Sequence, residues 1–552
     1  MSKEKRRSGP NLGDCASSFM EQWKAAQTAT QAPELGTSSD SSKVTGDQDI
    51  RQVLRSWRRD GGNVVVTKGK SKGFVKRPAK PSATTPGNPI APSNIPQASS
   101  PPVQKPLRQR LLEASAALDQ LQISSAMSRP CDSEKLAAVI ENKDGKLAIL
   151  GLDFGTAFTK AVVRWSNRHY VVDWSDAVEG EDYHLLASVF SEAPDGECML
   201  GANAQSGWSI CEGIKLQLLA SETASSPESM ADAVIFIALA FRYVDRWLRR
   251  TIDGVDSSLR WRLHVGLPTN SWDNDATTET FKTVAQAARL LACKPGPVTG
   301  TAALAALRSA SKVDRPAVDV LPEFACQIYS YLQSPERKED LHALVDIGAG
   351  TIDIAYFNVY TRDGDQLLPI FASKVDKLGA HYLIAALSGP EGKHDWKDEE
   401  SSLADEDVGR KVGCSPNEVC DRRSLYLSSV ADAFNSVTVD ARKGYPTSPA
   451  FRHTAEVRLF LCGGGSRIPC LKKRFGRIAK EAKSHYQMNF QVSELVKPRD
   501  VVGTLQSGFD RLSVAYGLSQ LASNIGHVVR SATLDPVIPR GPIDAKHRDD
   551  DR

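Results

Sequence analysis

An α/β protein built from two lobes about a cleft is the fold class this sequence predicts from Lys146 onward, and three observations predict it. Strand-like and helical runs alternate through this part of the chain, as they do where helices cover sheets. An apolar run that reaches an Asp and turns through glycines into a second β-rich run occurs twice. The first copy leads from Leu147 to Leu152 into Ala161 to Trp165, the second from Leu341 to Val345 into Ile352 to Phe357. A third glycine segment, Cys462-Gly463-Gly464-Gly465-Ser466-Arg467-Ile468-Pro469, follows the strand-like run Val457 to Cys462.

Taken in order, the first lobe is expected over 146–340, with strands near Ala148, Ala161 and Val171. Val234 to Trp247 and Thr277 to Ala292 read as long helices around a strand at Arg262 to Leu267. The longest apolar stretch, Ala231 to Phe241, continues into Arg242, Asp245 and Arg246 and is too short to span a bilayer, so it is read as a buried helix. The second lobe is expected over 341–523. It has strands through Ile354 and Phe371, a helix after Ala380, a charged helical insertion from about Asp395 to Val439, and a strand before the third glycine segment. A last helix, Leu512 to Leu521, is expected to fold back and close the first lobe, leaving 524–552 as an unstructured tail.

The two hairpins carry chemistry. In Gly151-Leu-Asp153-Phe-Gly155-Thr156-Ala157-Phe-Thr-Lys160 and Asp346-Ile-Gly348-Ala349-Gly350-Thr351-Ile-Asp353, glycine lets backbone N–H groups approach an anion. The Thr hydroxyl adds a donor, and the Asp can position a divalent cation through its waters. One such segment is ordinarily just a β-turn. Two of them, 193 residues apart at their Asp positions and followed 117 residues later by the triple glycine, form a pattern.

That pattern resembles the superfamily of actin, sugar kinases and the seventy-kilodalton heat-shock chaperones, whose fold is a pair of ribonuclease-H-like domains around a nucleotide cleft. Gly463-Gly-Gly-Ser-Arg467-Ile-Pro469 is most similar to the adenosine loop of the chaperone branch. Val265-Gly-Leu-Pro268, Pro322-Glu323, Leu378-Gly379-Ala380 and Ser513-Val-Ala-Tyr516-Gly517 resemble further motifs of that branch, so the likeness runs from about Lys146 to Ser523. The resemblance implies ATP or ADP with Mg²⁺. Asp153 and Asp346 would orient the hydrated cation, and the N–H groups of Gly155, Thr156, Gly348, Ala349, Gly350 and Thr351 would hold phosphates. Glu323 or Asp353 would orient the attacking water, and Gly463, Gly464, Gly465, Ser466 and Arg467 would hold the adenosine, with the Arg against the base. Glu323 alone also reads as an exposed acid at a helix start after Pro322.

Three departures from the family bear on activity. A Lys that touches the γ-phosphate in the chaperones is matched here by Gln205 in Gly201-Ala-Asn-Ala-Gln205, with Ile214-Lys215 matching the next pair of the family. Lys160 stands where actin-like members place a phosphate-contacting Lys, so the charge is expected to have moved there. Gly465 replaces a Ser near the adenine and Ala157 replaces a second Thr, each leaving the backbone in place. The expectation is ATP binding, with hydrolysis the weaker inference.

Composition fits a large soluble chain: 552 residues, 41% hydrophobic and 24% charged. The basic start, Met1-Ser-Lys-Glu-Lys-Arg-Arg, leads into polar residues rather than an apolar signal core. Ten scattered cysteines without a Cys-x-x-Cys pair read as reduced thiols of a cytoplasmic protein. Cys414 and Cys420 have no second pair near them to build a metal site. Residues 1–145 are expected to be an unfolded region rich in Ser, Pro, Lys and Gln. From Arg51 to Arg110 it holds 13 Lys or Arg against one acid, Asp60. Such a stretch suits a solvated tether, an acidic protein partner or nucleic acid. Two islands, Phe19/Trp23 and Ile50/Val53/Leu54/Trp57, place apolar stripes on a helix face, and a third helix is expected from Leu107 to Gln122. Gly69-Lys70-Ser71 resembles the end of a P-loop, but Val64 stands where its first glycine belongs.

After Ser523 too little chain remains for a chaperone's peptide-binding domain, so a conventional foldase is not expected. The leading expectation is a chaperone-type ATPase acting as a nucleotide-dependent switch for a protein partner. An actin-like filament and a nucleotide-binding scaffold without turnover are the alternatives. A sugar kinase fits the Arg-Ile-Pro loop and the Glu323 segment less well.

Overall fold

The computed structural model describes residues 128–131, 136–178, 182–219, 226–255, 259–272, 274–310, 317–362, 365–388, 404–444, 456–485, 488–503 and 508–530. All of them belong to the second of the two units into which the chain divides, Gln104–Arg552. The islands at 19–23 and 50–57, the basic stretch 51–110, the helix expected over 107–122 and the end of the tail lie outside the described residues.

The first lobe opens with β1 (Lys146–Asp153), a strand buried from Ala148 onward, which turns back as β2 (Phe158–Trp165) and then β3 (Arg168–Val171). Short strands follow: β4 (Leu186–Ala187), β5 (Phe190–Glu192), β6 (Cys198–Leu200) and β7 (Ser209–Cys211). The lobe is completed by β8 (Leu259–Leu267) and β9 (Val318–Pro322). Its main sheet runs β3-β2-β1-β8-β9, and β5, β6 and β7 form a separate three-stranded sheet. β2 is antiparallel to both neighbours, whereas β1, β8 and β9 run in parallel.

The second lobe repeats this plan. It comprises β10 (Leu341–Ile347), β11 (Ile352–Asn358), β12 (Tyr360–Arg362), β13 (Asp365–Asp376), β14 (Glu456–Cys462) and β15 (Asn489–Ser493). Its sheet runs β13-β11-β10-β14-β15, with β11 antiparallel to both neighbours and β10, β14 and β15 parallel. Counted from each hairpin, both sheets read 3-2-1-4-5 with only the second strand reversed. This is the ribonuclease-H-like arrangement made twice, so the two-lobed α/β, actin-like fold class is present as predicted. β16 (Val501–Val502) then joins β3 in the first lobe, and β17 (His527–Val529) joins β13 in the second.

Helices cover the sheets where the apolar runs demanded it, and their ends follow from polar caps. The helix Pro227–Thr251 extends beyond the expected 234–247 because Ser226 caps it through Ser229 N–H, Pro227 opens it, and Arg249 and Arg250 close its last turn. Asn274 likewise starts Asp275–Cys293 by accepting from the N–H groups of Ala276 and Thr277. The charged insertion is two helices, Asp405–Val412 and Pro416–Gly444, while 389–403 lies outside the described residues.

Each lobe has its own apolar core, and a third core joins them. The third contains Val162 and Leu321 from the first sheet, Leu344 and Phe460 from the second, and Phe324, Leu512 and Tyr516 from the helices between. The short helices Glu323–Gln327 and Tyr329–Leu332 carry the chain from β9 to β10. The return helix, expected at 512–521, is Phe509–Leu518; it packs on β1, β2 and Glu323–Gln327.

Two expectations of unfolded chain give way at their ends. Within 1–145, residues 128–131 and 136–145 lie along the first lobe. Cys131 N–H donates to Leu200, Leu136 and Val139 are buried, and Arg242 donates to the carbonyl of Leu136. Within 524–552, β17 pairs with Leu367 to Pro369, and Arg530 sits over the Trp272 ring. Both segments hold apolar residues that find partners only in the folded domain. Among the described residues no helix is long and apolar enough to cross a membrane.

Candidate functional site

The duplicated hairpins place equivalent side chains at equivalent positions. Asp153 faces Lys160 across β1 and β2, and Asp346 faces Asp353 across β10 and β11. Directly opposed residues in an antiparallel pair project to the same side of the sheet. In the first lobe the pair is an ion pair, with Lys160 Nζ 3.0 Å from Asp153 Oδ2. The second lobe has two carboxylates instead. The tips of the hairpins approach each other closely, since a methyl group built on Gly350 would lie 3.4 Å from Thr156 Cγ2.

The second turn is aimed by the segment after β13. N–H groups of Gly379, Ala380 and His381 donate to the carbonyls of Gly350, Gly348 and Ala349 at 3.3, 2.9 and 3.0 Å. In a trans peptide the following N–H points opposite to the carbonyl. The N–H groups of Ala349, Gly350 and Thr351 therefore face away from the helix Ala380–Ser388, as donors to an anion would. Gly348 was expected to join them, but its N–H donates to Thr351 O at 2.9 Å within the hairpin. In the first turn Ser188 Oγ donates to Gly155 O at 2.8 Å and Ser188 N–H to Ala157 O, which by the same argument leaves the Thr156 N–H on the opposite side.

Between the hairpins lies a buried polar group that single-motif reading missed. Lys215, in the helix Ile214–Leu219, donates to Glu323 Oε1 at 2.7 Å. Burial acts against its charge, but the carboxylates of Glu323, Asp153 and Asp346 outweigh burial and raise its pKa above the ordinary lysine value. Glu323 in turn is raised by burial and by Asp153 and Asp346, with Lys215 opposing. Its side chain packs on Gly266 of β8, where a methyl group would fall 2.7 Å from Glu323 Cγ, so the Val265-Gly-Leu-Pro268 motif provides the room. Glu323 is thus no exposed helix-start acid.

The remaining carboxylates are held in defined orientations. Gln327 Nε2 donates to Asp346 Oδ2 at 2.9 Å. Burial raises the Asp346 pKa, with Lys160 opposing and Asp153 adding. Asp353 accepts from Thr269 N–H at 3.2 Å, which links the lobes, and burial pushes its pKa up to about 7. Its Oδ1 is buried without a hydrogen-bond partner among the described residues. No group of three or more His, Cys, Asp and Glu is placed to chelate a metal among those residues, Cys414 and Cys420 included. The acids fit a cation held through its waters and a ligand's own oxygens rather than by direct chelation.

The third segment enters the same cleft. Gly463 has φ of 76°, and a methyl group there would lie 2.1 Å from Asp346 Oδ1, so only glycine lets this loop cross the carboxylate. Gly464–Arg467 forms one 3₁₀ turn, with Ser466 Oγ donating to Gly463 O at 2.8 Å and Gly465 buried against Ile347. Arg467 was expected against a base. Its guanidinium makes a two-pronged pair with Asp510, at 2.9 and 2.8 Å, which fixes the side chain at the edge of this loop. Arg511, from the same return helix, lies beside Gly464 and pairs with Asp182 at 3.0 Å.

Gln205 stands apart from this centre. It is exposed between β6 and β7, and its N–H donates to Asn203 Oδ1 at 3.1 Å. Lys215, ten residues on, is the lysine that pairs with Glu323, while Lys160 pairs with Asp153. Lys215 was visible in the sequence as part of a motif match. Its role was not, because only the fold carries it to Glu323.

No family model matches the chain, and no curated protein matches it. Among solved structures, MreB 5 of Spiroplasma citri, crystallised with AMPPNP bound, is similar over 68% of this chain and 95% of that chain, at 14% identity and a TM-score of 0.36. The duplicated strand order, rather than this likeness, identifies the fold.

Proposed function

We propose that this protein binds ATP and ADP with Mg²⁺ in the cleft between its lobes and uses the nucleotide to control how the lobes close. One observation carries the proposal: two copies of one hairpin approach each other tip to tip, with Asp153, Lys160, Asp346 and Asp353 at matched positions and the Lys215–Glu323 pair between them. Four acids and two ammonium groups drawn together with little solvent contact carry a net negative charge that a ligand bringing a cation would offset. N–H groups of Thr156, Ala349, Gly350 and Thr351 would receive phosphate oxygens. Lys160 and Lys215 would neutralise them, and Asp153 and Asp346 would hold the cation's waters. Bound Mg²⁺ would offset the phosphate charge and order the chain of oxygens.

Turnover to ADP and phosphate would then depend on which acid orients water. Glu323 is engaged by Lys215, whereas Asp353 keeps a free buried oxygen, so Asp353 is the better placed of the two. The chaperone-type features are the less favoured part of the sequence reading. Arg467 pairs with Asp510, and Gln205 faces solvent.

A second reading, nucleotide-dependent self-association, is favoured by β15. This strand ends the second sheet, no described strand pairs with its outer side, and Val492 and nearby Val496 are 38% and 73% exposed. An uncovered apolar edge is a template for another chain. Calorimetry with ATP and ADP tests the site, single-turnover hydrolysis tests catalysis, and light scattering with and without nucleotide tests assembly. A switch binds and turns over without scattering, a filament scatters with ATP, and a scaffold binds without turnover. Partners of the basic N-terminal stretch, an acidic protein first and nucleic acid second, belong to the same proposal and are tested by binding to the full chain.

A further inference from the structure

We propose that Gln327 is a positioning residue that orients the Asp346 carboxylate for cation-dependent nucleotide binding, an inference that rests on the nucleotide reading above. Gln327 closes the short helix Glu323–Gln327, four residues after Glu323, so both side chains leave one helix face. Glu323 engages Lys215 and Gln327 engages Asp346; one helical turn thus addresses two members of the cleft.

Asp346 is hydrogen-bonded at one oxygen and crowded at the other. Oδ2 accepts from the Gln327 amide at 2.9 Å, and Oδ1 lies against Gly463, where even a methyl group would come within 2.1 Å. A carboxylate only accepts, so the group facing it is the NH₂ end of the amide. Gln327 is 1% exposed, and a buried glutamine placed solely for packing would cost more than an apolar residue of its size. Its donor is neutral, which matters beside Asp153 and Asp353. It orients Asp346 without adding a cation that would compete with a bound metal ion. Partners that hold metal-binding carboxylates in place characteristically act in this way, and losing one costs roughly 10–100-fold in metal affinity.

The test compares ADP affinity with Mg²⁺ and in EDTA for the full chain, using Gln327→Met and Gln327→Leu, which remove the amide donor and add no charge. The readout is the ratio of the two dissociation constants, with thermal melting confirming that each variant is folded. The ratio is expected to fall about tenfold in both variants. In an Asp346→Asn background, the same substitutions should change it no further. An unchanged ratio in a folded variant, or an equal fall in both backgrounds, would overturn the role of Gln327. Wild type that binds no ADP in either buffer would overturn the nucleotide reading itself, and this inference with it.

Discussion

At the scale of single residues, the cleft is a balance of buried charges whose members depend on one another. Removing the Lys215 ammonium leaves Glu323 without its ion-pair partner, so Lys215→Met should weaken ATP more than ADP, by about 100-fold if it acts as an anion-stabilising donor. Calorimetry with both nucleotides checks this, and an equal loss for each would place the lysine away from the last phosphate. Gly463 offers a sharper steric test. Gly463→Ala sets a methyl group against Asp346 Oδ1 in a backbone that disfavours side chains, whereas Gly296→Ala shares the unfavourable φ, here 98°, with open space around it. Both should lose roughly 1 kcal/mol in urea unfolding from the backbone, and only Gly463→Ala should lose nucleotide as well. Asp153, Asp346 and Asp353 were legible in the sequence because they flank the turns of a repeated hairpin, and Glu323 because it follows Pro322 at the end of a strand-like run. The contacts that Lys215, Gln327 and Thr269 make with them were not, since each reaches the site from an element whose own pattern is merely that of a helix start or end. Arg467 was legible as a motif residue, yet its partner Asp510 lies 43 residues away on a helix whose docking only the fold decides.

Among elements, the connecting segments decide how the lobes communicate. The helix Glu323–Gln327 and the return helix Phe509–Leu518 cross between sheets, and buried histidines secure their surroundings. His342 of β10 donates from Nδ1 to the carbonyl of Asp340 at 2.7 Å and accepts at Nε2 from the Tyr331 hydroxyl at 2.9 Å, so it is neutral in the fold. Burial lowers its pKa to about 3, and burial also lowers that of His169 to about 4 against the pull of Asp500. Each therefore takes up its proton on unfolding. Their contribution to stability is complete above the unfolded value near 6.5 and is lost as pH falls towards 3 to 4, at up to ~1.4 kcal/mol per pH unit for each histidine. Asp353, raised to about 7, acts in the opposite sense over the same range, so the histidine is isolated by difference: compared with wild type in urea from pH 7 to 4, His342→Leu should be less stable at pH 7 and should lose less stability on acidification. The hairpins and long helices could be read from periodicity. The ends of helices could not, because Ser226 and Asn274 extend them by capping rather than by apolar spacing. The docked segment 128–131 and the strand 527–529 were hidden for a different reason: short pairings borrow their stability from a surface that exists only once the sheets are built.

For the whole molecule, duplication is the governing fact: two 3-2-1-4-5 sheets, each presenting its first hairpin to the other, make a cleft whose walls are related by sequence as well as by shape. That architecture was legible from the order and spacing of three glycine segments. Whether the molecule works singly or in chains was not, because the edge of β15 is defined by what fails to pair with it. Val492→Lys should abolish any ATP-dependent scattering without weakening ATP binding, since a charge on an exposed edge opposes pairing between copies. The most direct test of the central claim is titration calorimetry of ATP into the full chain in Mg²⁺, with Asp346→Asn alongside. The cleft described here predicts one ATP per chain for wild type, and a large loss of affinity in a variant that melts as a folded protein. Saturable binding that survives Asp346→Asn unchanged, or no binding by wild type, would contradict it.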